Sequence, residues 1–73
     1  MTSPTPHEWL HHLEDEADAA YLYRVLADAE PDPERKKVFA GLAAVEDRHV
    51  QIWQKLLTEA GHPVPVHRPS IKA

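Results

Sequence analysis

Hydrophobic residues recur with helical spacing in two stretches of the chain, which are separated by a short polar segment. Within each stretch they repeat every three or four residues, the pattern of an amphipathic helix wound at about 100° per residue. The pattern therefore predicts two α-helices. The apolar positions of the first are Trp9, Leu10, Leu13, Ala17, Ala20, Tyr23 and Ala27, extended by Leu22, Val25 and Leu26, and those of the second are Val38, Leu42, Val45, Ile52, Trp53, Leu56, Leu57 and Ala60.

Capping signals set the bounds of the first helix. Thr5 is followed by Pro6 and, three residues on, by Glu8, which is the sequence of a capping box with proline in the first helical position. Proline disfavours helical geometry in the residue before it, so Pro31 should end the helix near Ala29. We predict a first helix over residues 6–29.

The second helix is bounded in the same way. Asp32 followed by Pro33 repeats the start signal, and Gly61 with Pro63 beyond it is typical of a helix end. The predicted helix covers residues 33–60, and the short linker forces an antiparallel hairpin. Residues 1–61 would form one helical domain, and residues 62–73, with three prolines and no periodicity, a tail or linker.

The apolar surfaces of both helices are too wide for one hairpin to bury. Each covers roughly half of its helix, whereas a single antiparallel neighbour buries a narrower stripe. A chain of 73 residues without cysteine also has no disulfide to stabilise a small core. We therefore expect an all-α fold in which the antiparallel two-helix hairpin dimerises into a four-helix bundle.

Three ionisable residues interrupt these apolar surfaces. Glu16 lies within that of the first helix, and Glu46 and His49, spaced i, i+3, lie within that of the second. Both glutamates lie ~21 Å from the linker at ~1.5 Å per residue, so the hairpin should bring all three side chains into one layer. A carboxylate in an apolar interior is costly unless its charge is compensated.

A metal ion is the compensating charge that suits these side chains. Pairing of two chains doubles the set to four glutamates and two histidines, and carboxylates mixed with imidazole favour iron, with manganese as the other candidate. One glutamate from each of two helices, with Glu-x-x-His from each of the other two, is the ligand arrangement of di-iron carboxylate bundles. The other interpretation is a metal-free polar layer that fixes the register of a dimer.

Other histidines and tyrosines give weaker signals. His12, one turn before Glu16, is either an outer partner of a ligand or a surface histidine. Tyr23, two turns after Glu16, is by default a core residue, with a hydrogen bond to a ligand as the alternative. His7 and His11, four residues apart near the start of the chain, could bind adventitious metal.

The charge of the chain narrows the range of partners. The net charge is −4 and the pI about 5.8, which argues against nucleic acid and anionic membranes and favours the approach of cations. No stretch reaches the ~20 apolar residues of a membrane span, and the start lacks the regions of a signal peptide. A cytoplasmic protein is expected.

One segment is similar to a known family. The run Phe39-Ala-Gly-Leu-Ala-Ala-Val-Glu46-Asp-Arg-His49, preceded by Glu16 and by Tyr23 seven residues later, resembles the first helical pair of rubrerythrins and related ferritin-like proteins. The resemblance implies that Glu16, Glu46 and His49 bind iron and that Tyr23 lies beside the site. Rubrerythrins carry four helices in one chain, so here the second half of the site would come from a second chain.

The two-helix proteins that this segment looks most like are ferritin-like domains fused to vacuolar-iron-transporter-type membrane proteins, and encapsulated ferritins. The resemblance therefore implies an iron transporter domain or an encapsulating shell as a partner, with tethering to a membrane protein or enclosure in a protein compartment. The chain lacks the cysteines of a rubredoxin-like module, which excludes electron transfer of the rubrerythrin kind within the chain.

The expected function is ferroxidase activity at a di-iron site shared by two chains, with O₂ or peroxide as oxidant and Glu16, Glu46 and His49 as the catalytic ligands. Two alternatives remain open at this point. One is an iron-binding or delivery module that serves a fused or partner transporter or compartment without turnover. The other is a helical dimerisation module without metal.

Overall fold

Two helices joined by a three-residue linker make up the hairpin, α1 over Pro6–Ala29 and α2 over Pro33–Glu59. The structure is a computed structural model and describes residues 5–64. The prediction of an all-α hairpin is confirmed within these residues, and α2 ends one residue before the predicted position, with Ala60 as its C-cap. The predicted tail lies outside the described residues beyond residue 64.

Side-chain caps begin both helices where the sequence predicts them. The Thr5 hydroxyl accepts a hydrogen bond from the Glu8 N–H, and the Glu8 carboxylate accepts one from the Thr5 N–H, both at 3.3 Å. The Asp32 carboxylate accepts a hydrogen bond from the Arg35 N–H at 2.9 Å. Each cap provides a partner for a backbone N–H that the helix itself leaves free.

A Schellman motif ends α2. The His62 N–H donates to the Leu57 carbonyl at 2.9 Å, and the Gly61 N–H donates to the Thr58 carbonyl at 3.0 Å. Gly61 has a φ of 73°, the left-handed conformation that this motif requires and that glycine adopts without steric cost. The chain therefore leaves the helix axis at Gly61.

At the linker, α2 provides a partner for the end of α1. No basic residue lies in the last turn of α1, and the Lys36 ammonium of α2 instead donates to the Ala27 carbonyl at 2.7 Å. A cation at a helix C-terminus also compensates the negative end of its dipole. The contact fixes the first turn of α2 against the last turn of α1.

Small residues line the seam where the helices meet. The five buried hydrophobic residues repeat at intervals of seven or fourteen positions along each helix, which is the spacing of coiled-coil packing. Three of the five are alanines, so the two backbones can approach closely. Ala43 was not among the predicted apolar positions of the second helix. The buried residues are Leu13, Ala20 and Ala27 on α1, and Ala43 and Leu57 on α2.

Much of the remaining apolar surface of the hairpin lies in water. The seam is narrow because two antiparallel helices bury only the stripe that faces the neighbour. The expectation that a single hairpin would leave apolar strips exposed is therefore confirmed. The exposed large hydrophobic residues are Tyr21, Leu22, Val25 and Leu26 on α1, and Val38, Leu42 and Ile52 on α2. Neither α1 nor α2 is long and apolar enough to cross a membrane.

Two glycine substitutions test the assignment of the α2 terminus. Gly61→Ala should lower the free energy of unfolding by about 1 kcal/mol, because alanine is strained at positive φ. Gly41→Ala, inside α2, should raise it by roughly 0.5–1 kcal/mol, since alanine favours the helix, and an added Cβ meets no atom within 4 Å there. Urea denaturation followed by circular dichroism measures both free energies. Changes of the same sign in the two variants would contradict the assignment of Gly61 to the end of α2.

Candidate metal centre

Glu16, Glu46 and His49 converge at the middle of the hairpin. One ligand atom of each lies within 4.8 Å of the others, and among residues 5–64 these are the one group of three or more such side chains that could hold a metal ion. The His49 Nδ1 atom is 3.4 Å from Oε1 of Glu16 and 3.7 Å from Oε1 of Glu46. The structure therefore brings together all three residues that the sequence analysis singled out.

The seam explains why the three side chains meet. Glu16 follows the buried Leu13 by three residues, and Glu46 follows the buried Ala43 by three, so each glutamate lies one turn from a residue buried between the helices. His49 is a further three residues along α2 and lies beside Glu46. The cluster thus lies beside buried residues of both helices.

One carboxylate oxygen of the cluster has no partner. The Oε2 atom of Glu16 is buried and makes no hydrogen bond within the described part of the chain. A buried carboxylate oxygen without a donor is costly, because the group has lost water without gaining a replacement. This atom needs a proton donor or a cation, and no donor among residues 5–64 reaches it.

The contacts of His49 differ from those of a hydrogen-bonded ion pair. A charge-assisted N–H···O⁻ bond is about 2.7–2.9 Å long, whereas the two His49 contacts are 3.4 and 3.7 Å. Donor atoms around one first-row metal ion, each about 2.0–2.2 Å from it, lie about 3–3.5 Å apart. The 3.4 Å between His49 and Glu16 falls within the range for two ligands of one ion, and the 3.7 Å between His49 and Glu46 lies just above it.

The donor set also fits a metal ion chemically. Two carboxylates and one imidazole combine hard oxygen with nitrogen, as iron and manganese sites do. A dication would satisfy the free oxygen of Glu16 and remove the repulsion between the two carboxylates. Three side chains from one hairpin leave further coordination positions open, because these metals commonly take more ligands than three.

The cluster opens to one side of the hairpin. A pocket of about 250 Å³ is lined by Glu16, His49, Ile52 and Trp53. The His49 side chain is 44% exposed, against 26% for Glu16 and 22% for Glu46. The histidine therefore faces the open side, and the two carboxylates lie nearer the seam.

His12 lies beside the pocket of the cluster, where it contacts Trp53. The His12 ring stacks on the Trp53 indole, with 5.0 Å between centroids and 17° between planes. Among the hydrogen bonds of residues 5–64, none joins His12 or Tyr23 to Glu16, Glu46 or His49. His12 thus packs against one wall of the pocket. This contact could not be predicted from the sequence, because His12 and Trp53 are far apart along the chain.

The sequence analysis also missed an ion pair between the helices. The Arg24 guanidinium donates to the Asp47 carboxylate, so an ion pair joins α1 and α2. Asp47 directly follows Glu46, and its side chain points to a different side of α2 because successive residues are about 100° apart. Exposed charges on two helices carry no periodic signal that would identify them as partners.

No family of known proteins, curated protein or solved structure matches the chain. The assignment of the site therefore depends on its own geometry and chemistry.

Removal of the cluster should abolish stabilisation by metal. A dication that binds only the folded protein adds about 2.7 kcal/mol at one hundred times its Kd, which corresponds to roughly 10–20 °C in melting temperature for a domain of this size. Fe²⁺ under anaerobic conditions, or Mn²⁺, should give such a rise in the parent, and none in Glu46→Ala or His49→Ala. Thermal melts followed by circular dichroism measure the shift.

The matched control is Glu59→Gln, which also removes one carboxylate but at the exposed end of α2, where Glu59 contacts Lys55. It should keep the full rise in melting temperature. An equal loss in Glu59→Gln and Glu46→Ala would mean that the cation is attracted by net charge alone, and the cluster would not be a binding site.

Proposed function

We propose that the chain binds Fe²⁺ and catalyses its oxidation by O₂ or peroxide, at a centre completed by two copies of the hairpin. The observation that carries the proposal is the convergence of Glu16, Glu46 and His49 around a buried carboxylate oxygen that has no hydrogen-bond donor. The resemblance of the same three residues to the ligand motif of rubrerythrins and ferritin-like proteins supports it.

The position of the exposed apolar residues supports pairing of two copies over the cluster. On α2, Val38, Leu42 and Ile52 lie within about 60° of His49 around the helix axis, and all three are exposed in the single hairpin. A surface that buried these residues would also cover His49. A second copy related by a two-fold axis presents the same apolar surface and a second cluster, which is the arrangement of an isologous interface.

Two copies would supply four carboxylates and two imidazoles for two iron ions. Glu46 of each copy would bridge the two ions, while Glu16 and His49 would each bind one. This ligand count leaves positions for the oxidant, which a ferroxidase needs. Anionic oxygen ligands also favour the more highly charged Fe³⁺ product over Fe²⁺.

Iron is the substrate of this reaction, and the pairing of two ions matches its electron count. Each Fe²⁺ gives up one electron and becomes Fe³⁺. Two electrons and two protons reduce O₂ to hydrogen peroxide, or reduce hydrogen peroxide to two molecules of water. A centre with one ion could supply only half of these electrons at once, so the activity requires both half-sites.

Substitution of an exposed apolar residue tests the pairing. Ile52 is 55% exposed in the hairpin, so Ile52→Asp should cost little unless a second copy covers it. We expect the parent to sediment as a dimer or a multiple of it, and Ile52→Asp to shift the population to monomer and lose helicity, since folding and association are coupled. Analytical ultracentrifugation at micromolar concentration, with circular dichroism, measures both.

Gln51→Asp introduces the same charge at the neighbouring exposed position and is the control. It should leave the assembly intact. A parent chain that melts cooperatively as a monomer would contradict the shared centre, as would equal effects of the two substitutions.

Oxidation of iron tests the chemistry. Fe²⁺ added in air should be oxidised faster than in buffer, with a first phase that saturates at one iron per chain, because two ions are shared by two chains. Glu16→Ala should slow this phase and leave the dimer intact, since both Glu46–His49 pairs remain. Absorbance of Fe³⁺ and consumption of O₂ measure the rate.

Trp53 provides an independent signal, because it lines the same pocket as Glu16 and His49. Its fluorescence should fall in step with the first phase, and Trp53→Phe should remove that signal while Trp9→Phe keeps it. An anaerobic titration separates binding from oxidation. Tight binding of Fe²⁺ without faster oxidation would contradict ferroxidase activity and favour an iron-delivery module. No binding of Fe²⁺ would favour a metal-free dimerisation module.

A further inference from the structure

Two histidines near the start of α1 point at each other. His7 and His11 are four residues apart, and their Nε2 atoms are 3.2 Å from each other. The rings meet edge to face, with 4.7 Å between centroids and an interplanar angle of 85°. Both side chains are exposed, so packing in the described part of the chain does not account for this convergence.

The distance between the two nitrogens suits a shared metal ion. Imidazole nitrogens lie about 2.0–2.1 Å from a bound Zn²⁺, and two of them on a tetrahedral ion are about 3.3–3.4 Å apart. The 3.2 Å between the Nε2 atoms of His7 and His11 needs almost no adjustment. We propose that these two residues form a second metal site, which binds one late divalent transition-metal ion such as Zn²⁺ or Cu²⁺.

This site is separate from the cluster in the middle of the hairpin. Glu16 is nine residues after His7 and therefore points about 180° away around α1. The donor sets differ as well: two imidazoles without a carboxylate favour the later ions of the first transition row, whereas the glutamates of the central cluster suit iron and manganese. The two sites should therefore differ in which ions they hold.

The spacing of this site is also that of a known zinc motif. His7-Glu8-Trp9-Leu10-His11 has the form H-E-x-x-H, in which two histidines one turn apart bind zinc and the glutamate acts as general base in metalloproteases. Here the Glu8 carboxylate accepts the hydrogen bond from the Thr5 N–H that caps the helix. The pair also lies on an exposed surface, so the inference is metal binding without hydrolysis.

Ion binding would replace the contact that the two rings make without metal. When the rings are neutral, one Nε2 carries hydrogen and donates to the other. As ligands, both Nε2 atoms need a free lone pair, so the donating ring must move its hydrogen to Nδ1. The remaining positions on the ion would be filled by water, because the described residues contribute no third ligand here.

The test uses the full chain carrying both Glu46→Ala and His49→Ala as its background, so that the central cluster does not bind the ion. Calorimetric titration with Zn²⁺ should give one ion per chain. His7→Gln and His11→Gln should each weaken binding at least about tenfold, since even outer partners of metal ligands are worth that much. His62→Gln, at a histidine beyond α2, should leave the affinity unchanged.

Nitrogen NMR of the imidazoles identifies the ligand atoms. On saturation with Zn²⁺, the Nε2 signals of His7 and His11 should both move, while that of His62 stays in place. Unchanged affinity in His7→Gln and His11→Gln would overturn the site, as would an equal loss in His62→Gln or half an ion per chain. Because the background lacks the central cluster, none of these outcomes depends on the ferroxidase proposal.

Discussion

The close approach of α1 and α2 along a seam of small residues is the constraint on which the rest of the structure depends. Ala20, Ala27 and Ala43 have no bulk to hold the backbones apart, and Leu13 and Leu57 fill the space towards the open end of the hairpin. Side chains one turn from such contacts lie beside the seam. Glu16 and Glu46 occupy those positions, so close packing forces two carboxylates together.

The same seam leaves the hairpin incomplete in two respects. It leaves large hydrophobic residues of both helices exposed, and it brings carboxylates together without a hydrogen-bond donor for Oε2 of Glu16. A second copy would cover the apolar strips, and a cation would neutralise the carboxylates. The proposed iron centre meets both needs at one place, because His49 lies on the side of α2 that carries the exposed residues.

The sequence predicted the features that depend on local rules. The caps at Thr5 and Asp32 and the left-handed Gly61 follow from nearest neighbours along the chain, and the convergence at the centre follows from equal distances to the linker. The other contacts between side chains far apart in sequence, Arg24–Asp47 and His12–Trp53, were not predictable. Ala43 was missed because an alanine carries little hydrophobic signal, although its small size is the reason that it lies in the seam.

The 3.2 Å distance between the Nε2 atoms of His7 and His11 was not predictable either. The sequence shows only that the two residues are four positions apart. A spacing of four residues places two rings on one face of a helix, but the side-chain rotamers decide whether the nitrogens are close to each other. The Arg24–Asp47 pair and the His12–Trp53 stack are similar cases, since each depends on the rotation of one helix about its axis relative to the other. That rotation is set by the packing of the whole seam.

The bond from Lys36 to the Ala27 carbonyl has a consequence for how the hairpin opens. Helix ends normally fray one residue at a time, and their amide protons exchange quickly with solvent. Here the hydrogen bond joins the last turn of α1 to the first turn of α2, so unwinding either turn breaks the bond between them. We expect amide exchange near the linker to be slow and cooperative, and fraying to begin instead at the far end, around Thr5 and Gly61.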